Sequence, residues 1–308
     1  MILIHQKSFL IKKIVVLYYI VYGLLYTISL LPLKILYLVS DFAYILLYYI
    51  IGYRKKVVFS NLKQAFPEKD KTEIKRIAKK FYRNFTDSII ETIKLLSAGE
   101  KFIRKRFYGD FSVFDYLYKK GRKCQLLCGH NFNWEYGNLG YPLQIKHLLI
   151  VIYMPLENRI FDKIFKKLRS KNGAVLLSAA DTRTAIIPYR NTLYALALLA
   201  DQNPGNPQNA YWINFLNKPA PFLKGPESGA RRGNIPVVFS YSLKEKRGHY
   251  HIYNVLAEEN PDNTKPGELT RKYVHFLEEM IRKNPEMWLW SHRRWKWNWK
   301  KEYGEVIA

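Results

Sequence analysis

The strongest chemical signal in the chain is the run C-G-H-N-F-N-W-E-Y-G at 128–137, where four residues separate His130 from Glu135. An imidazole is the side chain best suited to moving a proton near neutral pH, and a carboxylate that reaches it orients the ring and stabilises its protonated form. Five positions is not a same-face helical spacing, so the two meet only if the first residues form a turn and Glu135 reaches back. The spacing by itself is weak evidence, because seven histidines and 25 acidic residues in 308 positions predict about 0.6 such pairs by chance. The context carries more. The motif follows an apolar, strand-like run, and α/β folds bind ligands at the carboxyl ends of strands, where helix-start amides can stabilise an oxyanion. The competing reading is a satisfied structural histidine. The sequence has no G-x-S-x-G, G-x-x-x-x-G-K, G-x-G-x-x-G or H-E-x-x-H, which removes the usual hydrolase, kinase, dehydrogenase and zinc-protease classes.

Stepping outward from His130, the elements needed to position it are legible. Short apolar runs occur at 123–129, near 150, at 174–178, 192–200, 235–241 and 249–256, separated by helical segments. This alternation predicts an α/β fold with a mainly parallel or mixed central sheet flanked by helices. Upstream, Asp70 with Glu73 makes a D-x-x-E helix start, and Ile74, Ile77, Phe81, Phe85, Ile89 and Ile93 recur at three- or four-residue spacing, an amphipathic helix. Apolar residues at 48 % and aromatics at 16 % suffice for a sizeable core. The only cysteines, Cys124 and Cys128, share one apolar run, so neither a disulfide framework nor a cysteine zinc site is expected, and a reducing compartment fits.

The N-terminus reads as a membrane element. Residues 14–33 are twenty positions without a charge, long enough at 1.5 Å per residue for a roughly 30 Å hydrocarbon core. Lys7, Lys12 and Lys13 precede them, no cleavage site follows, and a second apolar stretch at 35–53 is interrupted by Asp41. The many tyrosines and Pro32 suit a helix pair in the interface as well as a simple span. The expected organisation is an N-terminal anchor or pair of interfacial helices at 1–56 and a catalytic domain at 57–308. The 50 Lys and Arg against 25 Asp and Glu give a charge of +25, which calls for a polyanionic partner.

Other residues carry paired readings. On a helix over 158–170, Arg159, Lys163, Lys166 and Lys167 share one face and Ile160, Ile164 and Leu168 another, which suits a phosphate-rich interface or a solvated face. His249 and His251 share a strand face but lack a third nearby ligand, so no metal site is expected. Near the C-terminus, Trp288, Trp290, Trp295 and Trp297 interleave with Arg293 and Arg294. Such a pattern stacks on nucleic-acid bases or sits at an anionic bilayer surface, and the apolar N-terminus favours a membrane-interface role over nucleic acid.

In this setting the chain resembles the lipid A biosynthesis late acyltransferases (lauroyl and myristoyl acyltransferases), within the wider glycerolipid acyltransferase group with its H-x-x-x-x-D/E motif. The resemblance runs through RKKVVFSNLKQAFP at 54–67, the His130–Glu135 motif, YMPLENRIFDKIFKKLRSKNG at 153–173, LLADQNPG at 198–205, FLKGPESGARRGNIPVVF at 222–239 and MWLWSHRRWKW at 287–297. It implies a glycerolipid-acyltransferase-like fold and an enzyme on the cytoplasmic face of a Gram-negative inner membrane. That enzyme moves an acyl chain from an acidic acyl carrier protein to an anionic glycolipid acceptor, using the thioester as co-substrate and no further cofactor. His130 and Glu135 become the expected catalytic pair. Arg159 and Arg169 match an arginine-bearing block, with phosphate or oxyanion contact expected of at least one. Asp201 falls in an Asp block and either binds acceptor or caps a turn. Glu227 and Arg231 fall in a later block and are expected to contact ligand. Acceptors of rival readings are a lysophospholipid or an aminolipid, and a non-catalytic basic membrane-binding protein is the rival of another class.

Overall fold

The computed structural model describes the backbone of residues 2–307 and the side chains of residues 14–307, so Lys7, Lys12 and Lys13 lie outside the described side chains. The chain opens with α1 (Ile2–Leu30), α2 (Leu33–Ile45), a π-helical turn at Leu46–Ile51, α3 (Lys55–Ala65) and α4 (Lys71–Leu95). After α5 (Glu100–Arg104), β1 (Phe107–Gly109) and α6 (Ser112–Lys119), strand and helix alternate through β2 (Cys124–Cys128), α7 (Glu135–Gln144), β3 (Leu148–Tyr153), α8 (Arg159–Arg169), β4 (Val175–Ser178), α9 (Thr182–Ala185) and β5 (Tyr194–Leu199). Then follow β6 (Ala210–Phe215), β7 (Lys218–Leu223), α10 (Gly225–Arg232), the hairpin β8 (Val237–Lys246) and β9 (His249–Glu258), α11 (Glu268–Lys283) and β10 (Val306–Ile307).

Seven strands form one sheet in the order β1-β9-β8-β2-β5-β3-β4, and β10-β6-β7 form a second. The main sheet is parallel except at β8–β9. Its centre, β2, is covered on both faces, which explains why C-Q-L-L-C is buried along nearly its whole length with Gln125 its one polar residue. The six expected strands are present. The short β1 and β10 and the β6–β7 hairpin give no comparable signal. The helix start at Asp70 is also present, its Oδ1 accepting the Glu73 amide at 2.7 Å. Ile74, Ile77 and Phe81 of α4 are fully buried, while Ile89, farther along the same stripe, is exposed.

The apolar run at 14–33 is not one helix. Pro32, which fixes φ and offers no N–H, breaks it between α1 and α2. Among the described residues, Leu33–Ile51 is the one helix long and apolar enough to cross a membrane, and the described part of α1, Ile14–Leu30, is shorter. Gly52, at φ +66°, ends the second helical run in a left-handed turn that a side chain would strain. Both helices are tied down. Lys94 caps the end of α1 by donating to the Ser29 carbonyl at 2.7 Å and that of Leu31 at 3.1 Å. Asp41, the charge inside the second run, is matched by Arg247 from the β8–β9 turn at 2.7 Å, and Arg247 also reaches Asp87 of α4 at 2.6 Å.

Burial alone would raise the Asp87 carboxyl. Hydrogen bonds from Arg247, Lys244 and Ser40 and the Lys244 charge outweigh it and hold the group below the usual carboxylate range. A depressed folded value contributes stability that is complete above the unfolded value of about 3.9 and is lost as pH falls below it. Arg247→Ala should therefore cost about 2 kcal/mol at neutral pH, less than a wholly buried pair because Arg247 is a third exposed and Lys244 remains. It should also move the acid-unfolding midpoint to higher pH. Circular dichroism over a pH series checks this, and an unchanged midpoint refutes it.

Candidate active site

The parallel register of β2 and β5 pairs Cys128 with Leu199, and the Ala200 amide continues the ladder to the Cys128 carbonyl at 3.1 Å. Two residues on, His130 and Asp201 stand opposite each other at the carboxyl ends of adjacent strands. The Asp201 carboxylate accepts the His130 backbone N–H at 2.8 Å and meets ring Nδ1 at 2.6 Å, and its Oδ2 also accepts Trp288 Nε1 at 2.7 Å. Burial of Asp201 favours its neutral form, but the His130 charge and hydrogen bonds and the Trp288 donor outweigh this and bring it down to about 2. An ionised Asp201 selects the Nδ1–H tautomer. Among the described residues nothing is hydrogen-bonded to Nε2, while Trp134 packs edge-on against the ring at 5.3 Å. Gly129 makes the approach possible, since a Cβ there would lie 2.9 Å from Leu277 and 3.3 Å from Asp201 Oδ2.

The expected contact from Glu135 to His130 is absent, and this corrects the sequence reading. Glu135 begins α7, and its carboxylate is claimed by Arg169 at 2.5 and 2.9 Å, by Trp134 Nε1 at 3.1 Å and by Asn138 at 3.1 Å. The partly exposed guanidinium of Arg169 thus spends Nε and Nη2 on Glu135. The first amides of α7 are also occupied, Glu135 N–H by Asn133 Oδ1 and Tyr136 N–H by the Asn133 carbonyl. Asn133 is held in turn by Glu91, a wholly buried carboxyl that also accepts Tyr37 and Tyr250 hydroxyls at 2.9 and 2.6 Å and that burial pushes up. Glu135 with Arg169, and Glu91 with Asn133, thus brace the turn that presents His130.

Asp201 does not cap a turn; its carboxylate is spent on His130 and Trp288. Arg159 sits exposed at the start of α8 without an ion pair among the described residues. Glu227 and Arg231 are both engaged within the fold. Glu227 is buried and accepts the amides of Gly267 and Thr270 and the Thr270 hydroxyl, closing the start of α11, and Arg231 donates to the Thr264 carbonyl at 2.9 Å. The C-terminal aromatics are corrected as well. Trp288, Trp290 and Arg294 are fully buried, Trp290 packs on Phe66, and Trp295 stacks on Phe215. Arg294 donates to Asn203 and to the Pro221 carbonyl, each at 2.9 Å, with its guanidinium 4.2 Å from the Phe222 ring. Of that group Arg293 is exposed and Trp297 partly so.

Sequence reasoning missed Trp288 as the donor behind Asp201, and His292, which lies against Asn203 and is pushed down to about 4 by burial and the Arg294 charge. The signal for both was the spacing of MWLWSHRRW, but only a chain reversal places Met287 and Leu289 in hydrogen bonds with Phe132 and His130. Two apolar cavities flank Trp134. One of about 60 Å³ runs under Gly129 and Gly137 toward Tyr141, and one of about 300 Å³ lies between α1, α4 and α8. Because Glu227 serves α11 and not a ligand, Glu227→Ala should cost about 2 kcal/mol in a denaturation midpoint while leaving substrate KM within a factor of about two. A raised KM at unchanged stability would return it to the binding site.

No curated protein matches the chain. A family model described as bacterial lipid A biosynthesis acyltransferase matches residues 3–297, nearly the whole chain, including the His130 turn, Asp201 and the segment that backs them. The chain belongs to the bacterial lipid A biosynthesis acyltransferase family, and its activity is that of an acyltransferase.

Proposed function

We propose that the protein transfers a fatty acyl chain from an acyl carrier protein thioester to a hydroxyl of a lipid A precursor, with His130 as general base and Asp201 as the group that positions it. The observation that carries this reading is the Asp201 carboxylate 2.6 Å from Nδ1, which leaves Nε2 as the basic nitrogen, with Trp134, a wall of both apolar cavities, edge-on to the ring. In the proposed step the acceptor O–H gives its proton to Nε2 as its oxygen attacks the thioester carbonyl. Asp201 stabilises the imidazolium that forms. The tetrahedral intermediate collapses, the C–S bond breaks, and the departing thiolate takes the proton back from Nε2, so the ester forms and His130 is reset.

Direct transfer is supported by the state of the two thiols. Burial pushes Cys128 up to about 12 and Cys124 higher still, so neither supplies a thiolate at neutral pH. The +25 charge supports an acidic carrier protein as donor and an anionic acceptor at the cytoplasmic face of the inner membrane. In this reading Glu135 acts through Arg169 on the shape of the turn and touches no reacting atom.

The test is mass spectrometry of products from detergent-purified protein given acyl carrier protein thioesters and a mixture of tetra-acylated lipid A precursor, lysophospholipid and lyso-aminolipid. One chain should be added to the lipid A precursor. His130→Ala should lower the rate at least about 10²-fold, and Asp201→Asn by about 10²–10⁴-fold through the wrong tautomer. Because the two act as a unit, the double variant should be no slower than His130→Ala alone. Full activity in Asp201→Asn, or an acylated protein trapped chemically, would overturn the mechanism. Turnover should also fall as salt rises, since steering between exposed charges is screened, and salt-independent turnover would argue against charge-steered docking.

A further inference from the structure

We propose that the groove between α1, α4 and α8 holds one hydrocarbon chain of the acceptor, a membrane glycolipid with an anionic headgroup, which makes the first helix a wall of the substrate site. The proposal rests on the acyl-transfer reading above. The groove, about 300 Å³, is lined by Leu25 of α1, Ile89 and Ile93 of α4, Ile164 and Phe165 of α8, and Trp134 at its inner end. A sparsely polar cavity of this kind takes a hydrocarbon.

Its occupant is identified by what surrounds it. At the mouth Ile89 is 45 % exposed and Phe161 42 %, and beside Leu25 the outer face of α1 presents Ile20 and Leu24, each 61 % exposed. The groove therefore continues an apolar surface that a soluble protein would hide, and a lipid already in the bilayer enters it without crossing water. On the face of α8 turned from the groove lie the exposed cations Arg159, Lys163, Lys166 and Lys167, Lys166 paired with Asp162 at 2.7 Å, which place positive charge at headgroup level beside it. Two of them also fix the wall. Lys163 sits 4.1 Å from the Tyr18 ring and Lys167 4.1 Å from the Tyr22 ring, where the tyrosines of α1 stack at 5.8 Å, so α1 is clamped to α8 at the groove. At the inner end, Trp134 separates the groove from His130 by one ring, leaving the smaller cavity under Gly129 and Gly137 on its other side.

Two readouts test this on the full chain in nanodiscs. Phosphatidylglycerol with a diazirine in one acyl chain is the probe; photolysis should label residues 85–96 and 160–168. Ile89→Trp at the exposed mouth and Ile93→Trp deeper in should remove that labelling. In turnover both variants should raise KM for the lipid A precursor about tenfold, with the thioester KM and the preferred donor chain length unchanged. Ile89→Trp, at a half-exposed position, keeps the test open if Ile93→Trp does not fold. Labelling confined to outward residues of α1 and α2, or variants that alter only the donor chain-length profile, would overturn the proposal. Wild-type protein that acylates no acceptor would fail the acyl-transfer reading and the acceptor assignment with it, whereas the labelling map judges the groove by itself.

Discussion

The site depends on one histidine–carboxylate contact made across a strand register. Asp201 is buried, and a buried carboxylate without partners is costly enough that it would be protonated. Here it receives three hydrogen bonds, two from His130 and one from Trp288. Each partner comes from a different part of the chain, and each is where it is because the β2–β5 ladder and the reversal at 284–294 put it there. The pair therefore cannot form unless the sheet is in register and the C-terminal segment is home. Folding and the tautomer of His130 are coupled by the same contacts.

That coupling explains why so many charged residues near the site are not facing ligand. Glu135 neutralises Arg169, Glu91 anchors Asn133, Glu227 closes α11, and Arg294 ties the loop after β5 to the C-terminal segment. A polar group taken out of water must be satisfied, and in the proposed mechanism a turn presenting a base must not move. The two demands are met by the same side chains. At Arg294 burial lowers the guanidinium to about 10 against the favourable influence of Asp201.

The N-terminal helices are joined to this frame by cations. Lys94 caps α1, Lys163 and Lys167 lie on its tyrosines, and Arg247 locks Asp41 of α2 to Asp87 of α4. Much of the outer surface of α1 and α2 is nevertheless exposed and apolar. A positive charge excess thus does local structural work here, in addition to whatever anion it meets outside.

Legible from the residues alone were the α/β class, the strands from β2 to β5 and the β8–β9 pair, the capped amphipathic α4, the apolar N-terminus and the position of His130 just after a strand. These are local properties: apolar periodicity, a capping box and a Gly-His step after a strand are visible within a dozen residues. The partner of His130 was not local. Glu135, five residues away, was the expected carboxylate, but α7 starts at that residue and hands its side chain to Arg169. The carboxylate that arrives is 71 positions distant and is delivered by a parallel pairing that no short pattern encodes. The tryptophan-arginine stretch failed in the same way. Its composition suits a membrane surface, yet tertiary packing turns Trp288, Trp290 and Arg294 inward because Asp201, Asn203 and the Pro221 carbonyl supply partners there for an indole and a guanidinium. Residue types and local periodicity set which elements form; only the assembled sheet decided which charges meet.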